Sequence, residues 1–346
     1  MLGGKEKVLA QLANYLAENQ YTVEIITYDG SLQSIFPLHN SIKITTLPLG
    51  FLKYTRNNLP KLLAFFGDIK AHKALKPQVD SAAYLIATDQ IIATVIYMAF
   101  KKKAGSIIVW EHLPYAIQVS KIWLYFRKKI YPRVKAVIAL NREEEAWYKS
   151  QHCNTIFLQN AVPPNPQVAL QTSGPLVWVA ALIKEKGIDG LIELGKLIKQ
   201  RALNTQLHVY GAGADKDYFI NAIAVNNLEN TIVYKKTEKD ISVIFSGAMA
   251  LIVTSKQECL PTVILEAFSF GIPVIAYDCP SGPRNMITPG VNGFLVAEGD
   301  TGGIFAAVVT LQSNQALLQQ MGNDAKAASA EYAPEKLYPQ WHTILV

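Results

Sequence analysis

Short apolar runs alternate along the chain with longer segments whose apolar positions recur at helical spacing. In the front half the runs fall at residues 22–28, 42–47, 82–87, 106–110, 134–139 and 155–158. In the rear half they fall at 176–180, 206–210, 231–234, 250–253, 273–276 and 294–296. Helical periodicity marks 6–19, 118–131, 142–149, 187–201, 262–270 and 315–330. Strands that are apolar throughout, alternating with helices, predict an α/β protein whose parallel sheets are covered on both faces. Residues 163–175, PPNPQVALQTSGP, carry turn formers and no core pattern, and read as a linker. The expected organisation is a front domain over 1–162, the linker 163–175, and a rear domain over 176–331. Two doubly wound domains of this kind would receive a ligand at the carboxyl ends of their strands, in a cleft between them.

A length of 346 residues suits two domains, each burying its own core. The longest apolar stretch, 84–100, contains Asp89 and Gln90. It reads as strand, loop and helix rather than as a membrane span. The start, MLGGKEK, leads straight into a charged amphipathic segment, so no secretory leader is expected. Cys153, Cys259 and Cys279 lack metal-type spacing and fit a reducing cytoplasm. Charge is uneven: residues 1–165 hold 20 Lys and Arg against 11 Asp and Glu, and residues 166–346 hold 13 against 16. A basic front half implies an anionic partner. No nucleic-acid motif is present, so a phosphorylated acceptor or an anionic membrane surface fits better than nucleic acid.

The densest chemistry lies in residues 255–276, SKQECLPTVILEAFSFGIPVIA. Pro261 suits the first turn of a helix and Gly271 a left-handed stop after it. The helix would open beside Glu258, with unpaired N–H groups that favour an anion such as a diphosphate. Glu266 would stand about one and a half turns further along. Two carboxylates flanking an anion site suit a sugar nucleotide, because carboxylates accept hydrogen bonds from hydroxyls. Two glutamates at this spacing arise readily by chance, and it is the context that gives them meaning. That context resembles the E-x7-E signature of retaining family-4 glycosyltransferases with the GT-B fold. The blocks DCPSGPRNMI at 278–287 and GVNGFLV at 290–296 resemble that family's next blocks, in the same order.

The resemblance implies a GT-B architecture of two Rossmann-like domains, with the front one binding acceptor and the rear one binding a nucleotide sugar. It also implies that the tail, 332–346, crosses back to the front domain. In the family a short β-strand leads into a Gly-Gly loop and a helix. Gly3 and Gly4 match that loop, but only Met1 and Leu2 precede them. The central first strand is therefore expected to be missing, either through a start set downstream of the true one or through a compromised front domain. By themselves Gly3 and Gly4 fit either a plain tight turn or a close approach to phosphate or sugar.

His112, in WEHLPY, follows an apolar strand, where a lone histidine is more often structural. The resemblance implies that it faces the cleft and contacts the donor sugar or the acceptor. Asn160 looks like a turn residue. Lys186 and Gly187 match the Lys-Gly of the family's phosphate block, whose arginine position falls here on Ala181. Lys184 is either a substitute cation or a solvated surface lysine, and a point charge does not reproduce a bidentate guanidinium. Gly211 and Gly213 resemble the family's Gly-x-Gly turn under the nucleotide but fail as a dinucleotide fingerprint. Asp215 and Asp217 imitate a metal motif and read instead as the acidic start of a helix. By resemblance, Glu258 holds donor sugar hydroxyls and Glu266 ribose hydroxyls. The N–H groups near Leu260, Thr262 and Val263 would cradle the diphosphate. No metal or other cofactor is expected. Residues 121–131, KIWLYFRKKIY, read equally as a core helix with a solvated basic face or as an interfacial helix on anionic lipid.

The expected activity is retaining transfer of a sugar, from a UDP-sugar foremost, to a polyprenyl-diphosphate-linked or glycan acceptor in bacterial surface polysaccharide synthesis. Glu258, His112 and Lys186 would be the catalytic residues, in a cytoplasmic enzyme peripheral at the inner face of the membrane. The alternatives are a non-catalytic GT-B homologue that binds nucleotide or a partner, and a GT-B sugar-nucleotide epimerase.

Overall fold

The computed structural model describes residues 3–27, 36–47, 59–115 and 121–346, with side chains left out at 59–65. The chain divides into two compact units. The rear unit comprises Met1–Gly4 and Asn160–Leu337, and the front unit Lys5–Gln159 and Tyr338–Val346.

In the rear unit six strands form one parallel sheet. They are β7 (Leu176–Val179), β8 (Leu207–Tyr210), β9 (Ile232–Lys236), β10 (Ala250–Val253), β11 (Val274–Tyr277) and β12 (Gly293–Val296). Their spatial order is β12-β11-β10-β7-β8-β9, with every pair parallel. All four residues of β10 and of β11 are buried, as expected of strands covered on both faces. The order is that of a doubly wound sheet, in which the chain leaves β7 in one direction and returns to its other side at β10. Ligands in such sheets bind at the carboxyl ends of the two strands flanking this reversal.

Residues 163–175 contain no helix or strand, yet they are packed into this unit. Leu170 is buried, and Val168 N donates to Phe270 O at 3.0 Å. The Lys326 ammonium donates to the carbonyls of Asn165 and Ser269, the latter at 2.6 Å.

The front unit is built from two parallel sheets. One pairs β1 (Glu24–Thr27) with β2 (Lys43–Thr46). The other has the order β3 (Leu85–Ala87), β4 (Ile107–Trp110), β5 (Ala136–Ala139), β6 (Thr155–Phe157). In the rear sheet β7 joins β8 on one side to β10 on the other. Among the described residues of the front unit no strand plays that joining part, and the first element is the helix Gly4–Glu18. The front core gathers Ile107, Val109, Val137 and Ala139 with Tyr131 and Tyr148. The C-terminal segment belongs to the same unit: Trp341 is buried 5.1 Å from Trp110, and His342 hydrogen-bonds Tyr15 and Tyr21, each at 2.9 Å.

Candidate functional site

The rear sheet's reversal point carries the motif residues. After β7 the chain makes a single 3₁₀ turn, Lys184–Lys186, and enters the helix Ile188–Gln200 through Gly187. Gly187 is left-handed, with φ 76°, and a Cβ there would stand 2.0 Å from Thr254 O. Only glycine fits both conditions. After β10 the chain runs through Thr254 and Glu258 to the helix Thr262–Ser269. Pro261 is the cap of that helix, one residue earlier than a first-turn position, and Gly271 beyond its end has φ 73°.

These two loops meet. Lys186 Nζ donates to Glu258 Oε1 at 2.6 Å, with both side chains only partly exposed. Lys256 N also donates to Glu185 O at 3.1 Å. The block after β11 closes on the same loop, where Gly282 N donates to Cys259 O at 3.1 Å and Ser281 is held at φ 63°. Buried Cys279 has its thiol pushed up to about 12, first by burial and then by the Glu258 charge, so Cys279 stays a neutral thiol beside the carboxylate. Glu266 is buried on the helix Thr262–Ser269. Leu260, Thr262 and Val263 lie at the N-terminal end of that helix, where the first N–H groups precede any intrahelical acceptor and Ile264 N donates to Pro261 O at 2.9 Å. The arrangement offers a cation, a row of N–H donors and two carboxylates, which suits an anionic group bearing hydroxylated rings.

The remaining rear candidates stand around this centre rather than in it. Gly211 and Gly213 lie against the loop after β7, where Cβ atoms would come 1.9 Å from Ala180 O and 2.2 Å from Leu182 O. Lys184 is exposed, with its ammonium 4.9 Å from the Tyr218 ring centre. Asp215 accepts from Lys184 N at 3.0 Å at the start of the helix Lys216–Val225. Among the described residues no group of three or more His, Cys, Asp or Glu could hold a metal ion. Arg284 pairs with Asp278 at 2.8 Å within the turn Gly282–Asn285.

In the front unit His112 follows β4 and tilts against Trp110, with ring centres 4.7 Å apart. The residue is half-buried, but its Nε2 is enclosed and has no partner among the described residues. Burial and the nearby Lys5 ammonium hold its pKa down to about 3, so the ring is neutral at physiological pH. Lys5 pairs with Asp89 at 3.3 Å. Gly3 and Gly4, expected in the front domain, go instead with the rear unit, where a Cβ on Gly4 would stand 2.4 Å from Thr262 Oγ1. Asp89 also caps the helix Gln90–Ala99 by accepting from Ile92 N.

Sequence reasoning missed the support beneath His112. Glu111 is fully buried, accepts from Tyr131 Oη at 2.6 Å and from Leu113 N at 3.3 Å, and faces the Arg127 guanidinium. Burial raises its pKa, while Arg127 and Tyr131 oppose the rise. A charged residue directly after a wholly apolar strand was the available signal. Arg127 is the exception to both readings of 121–131. It is buried, whereas Lys121, Ile122, Tyr125, Lys128 and Lys129 on the helix Lys121–Ile130 are exposed. Of the helix expected over 118–131, residues 118–120 lie outside the described residues.

The fold is GT-B, two Rossmann-like α/β domains, as in solved glycosyltransferases. The structure of Anabaena Alr3699/HepE in complex with UDP-glucose is similar, with a TM-score of 0.77 and 18% identity over 100% of this chain and 96% of that one. Residues 168–328 match the family described as "Glycosyl transferases group 1". Among curated relatives, an uncharacterized glycosyltransferase of Haemophilus influenzae is 24% identical over 350 residues, 99% of this chain and 96% of its own. A Campylobacter jejuni protein is 21% identical over 98% of this chain and 94% of its own. It is named GalNAc-alpha-(1->4)-GalNAc-alpha-(1->3)-diNAcBac-PP-undecaprenol alpha-1,4-N-acetyl-D-galactosaminyltransferase. Family match, fold and relatives together support a GT-B glycosyltransferase.

Proposed function

We propose that the protein is a retaining glycosyltransferase of family 4 that takes a hexose or its derivative from a nucleotide diphosphate, UDP foremost, to an acceptor hydroxyl. The observation that carries this reading is the Lys186–Glu258 pair, which spans the reversal point of the rear sheet beside the start of the helix Thr262–Ser269. A sugar nucleotide meets each part of that site. Its diphosphate faces Lys186 and the N–H groups near Leu260, Thr262 and Val263. Glu258 receives sugar hydroxyls and Glu266 the ribose hydroxyls. Gly211 and Gly213 let the turn after β8 lie close beneath the nucleotide. This positive potential meets the leaving charge, so the transfer is proposed to run without a metal ion.

The transfer follows a front-face displacement. The bond between the anomeric carbon and the diphosphate oxygen breaks, and its electron pair leaves on the diphosphate. The acceptor oxygen bonds to the same face of that carbon, and its proton passes to a diphosphate oxygen. Lys186 and the helix N–H groups stabilise charge that grows as the bond breaks, which is where such donors contribute most. No protein nucleophile is required. Neutral His112 orients a hydroxyl by hydrogen bonding, and Gly4 lies in the rear unit against Thr262, at the start of the diphosphate-binding helix.

The acceptor reading is a polyprenyl-diphosphate-linked sugar or a surface glycan, in keeping with the PP-undecaprenol in the Campylobacter relative's name. Among the described residues no helix is long and apolar enough to cross a membrane. The exposed Ile122 and Tyr125 between exposed lysines suit a peripheral seat on an anionic bilayer at its cytoplasmic face. Ala181, where the family carries arginine, favours a second reading: a homologue that binds the nucleotide without turnover.

The test is to incubate the protein with UDP-glucose, UDP-galactose and their N-acetyl forms, with polyprenyl-diphosphate-linked sugars as acceptors. Products are followed by mass spectrometry and anomeric configuration by NMR. An α-linked product from an α-linked donor supports the proposal. An inverted product would overturn retention. UDP binding without any product would favour the second reading.

A further inference from the structure

We propose that Thr254 is a positioning residue for the diphosphate-binding lysine: its hydroxyl, oriented by the Trp178 indole, fixes the Lys186 carbonyl and so aims the ammonium. This rests on the donor-site reading above. Thr254 is fully buried directly after β10. Its Oγ1 accepts from Trp178 Nε1 at 3.0 Å and donates to Lys186 O at 2.8 Å. The direction of both bonds is fixed by chemistry. An indole N–H can only donate and a carbonyl can only accept, so the single hydroxyl proton must point at Lys186.

The contact comes from the sheet. β7 carries Trp178 and pairs with β10 in the register Leu251↔Val177, which brings the indole to the end of the neighbouring strand. The Thr254 carbonyl adds a second restraint, since it fills the space that a Cβ on Gly187 would need. Thr254 thus begins the loop that presents Glu258 and pins the loop that presents Lys186. A flexible lysine stem held at its own main chain has fewer positions from which to meet Glu258 or a phosphate. The Lys256–Glu185 main-chain bond is a separate brace between the same loops, and experiment distinguishes the two.

Calorimetry with UDP as the probe tests this in wild type, Thr254→Val, Thr254→Ser, Lys186→Ala and the double variant Thr254→Val/Lys186→Ala. Thr254→Val should weaken UDP about tenfold, and Thr254→Ser, which keeps the hydroxyl, no more than about twofold. The double variant should bind about as weakly as Lys186→Ala alone, because Thr254 acts through Lys186. Wild-type affinity in a folded Thr254→Val protein, or additive losses in the double variant, would overturn the proposal. Unchanged UDP binding in Lys186→Ala would instead bring down the donor-site reading, and this inference with it. Should Thr254→Val fail to fold, Trp178→Phe removes the orienting donor. It should weaken UDP about threefold, and unchanged affinity there also counts against the proposal.

Discussion

The Lys186 ammonium donates to Glu258 Oε1 at 2.6 Å, tying the loop after β7 to the loop after β10. The cation is thus held by a carboxylate from the neighbouring loop. Diphosphate entry would replace that partner and release Glu258 for the sugar hydroxyls. Lys186→Ala is therefore expected to lower turnover by about 10²–10³, with a smaller effect on donor KM, because its charge matters most as the leaving group departs. Steady-state kinetics on purified variants checks this. A pure KM effect would make Lys186 a binding residue only.

Glu266→Ala should abolish stabilisation by the nucleotide. UDP at a hundredfold its Kd should stabilise wild type by about 2.7 kcal/mol, seen as a rise in Tm. In the variant that rise should vanish while the unliganded Tm moves little. Comparing UDP, GDP and ADP series in the same assay identifies the base.

In the proposed donor site, Ala181 would leave the diphosphate with one fewer cation than the pattern of the resembled family supplies. Lys184 does not make up the difference, since its ammonium stands over Tyr218. Ala181→Arg should raise turnover about tenfold if the chain is a slow transferase. No gain in a well-folded variant favours the reading of a nucleotide-binding homologue.

The strands were legible because parallel strands buried on both faces read as continuous apolar runs, and each predicted run overlaps a strand. The helix Thr301–Gln312 was not legible, because it opens on Thr301, Gly302 and Gly303 and then runs apolar nearly all round. Without a stripe there is no period to read. The helix Leu59–His72 was hidden in the same way by Pro60 and Gly67. At the site, Glu258, Glu266 and Lys186 were legible as residue types at motif spacing. Thr254 and Trp178 were not, because only the pairing of β7 with β10 joins residues so far apart in the chain. The burial of Arg127 was hidden for a related reason: nothing in a basic run on a helix marks the one cation that faces a buried Glu111.

His112 gives a pH prediction with a definite sign. Its folded pKa is about 3, below the ordinary value of 6.5. Above about pH 6.5 it is neutral in both states and contributes no pH dependence. As pH falls from about 6.5 to 3 the unfolded chain takes up a proton that the folded one refuses, so stability falls. His112→Gln removes this term, and its Tm should fall less than that of wild type between pH 7 and 4. Other buried histidines, His72 among them, are common to both proteins and cancel in the difference. Parallel Tm curves would show that His112 is not enclosed in solution.

The exposed residues of the helix Lys121–Ile130 make membrane association testable apart from catalysis. Vesicles containing about a third anionic lipid should retain the wild-type protein at low salt and release it as ionic strength rises. Lys128→Glu together with Lys129→Glu should abolish retention, at about 1 kcal/mol per lost cation before the added repulsion. Tyr125→Ser should weaken it less and leave the salt dependence intact, since an aromatic ring contributes through burial rather than charge. Neither change touches the donor site, so UDP binding should be unaltered. Equal retention of wild type and the charge-reversed variant would return this helix to a solvated basic face.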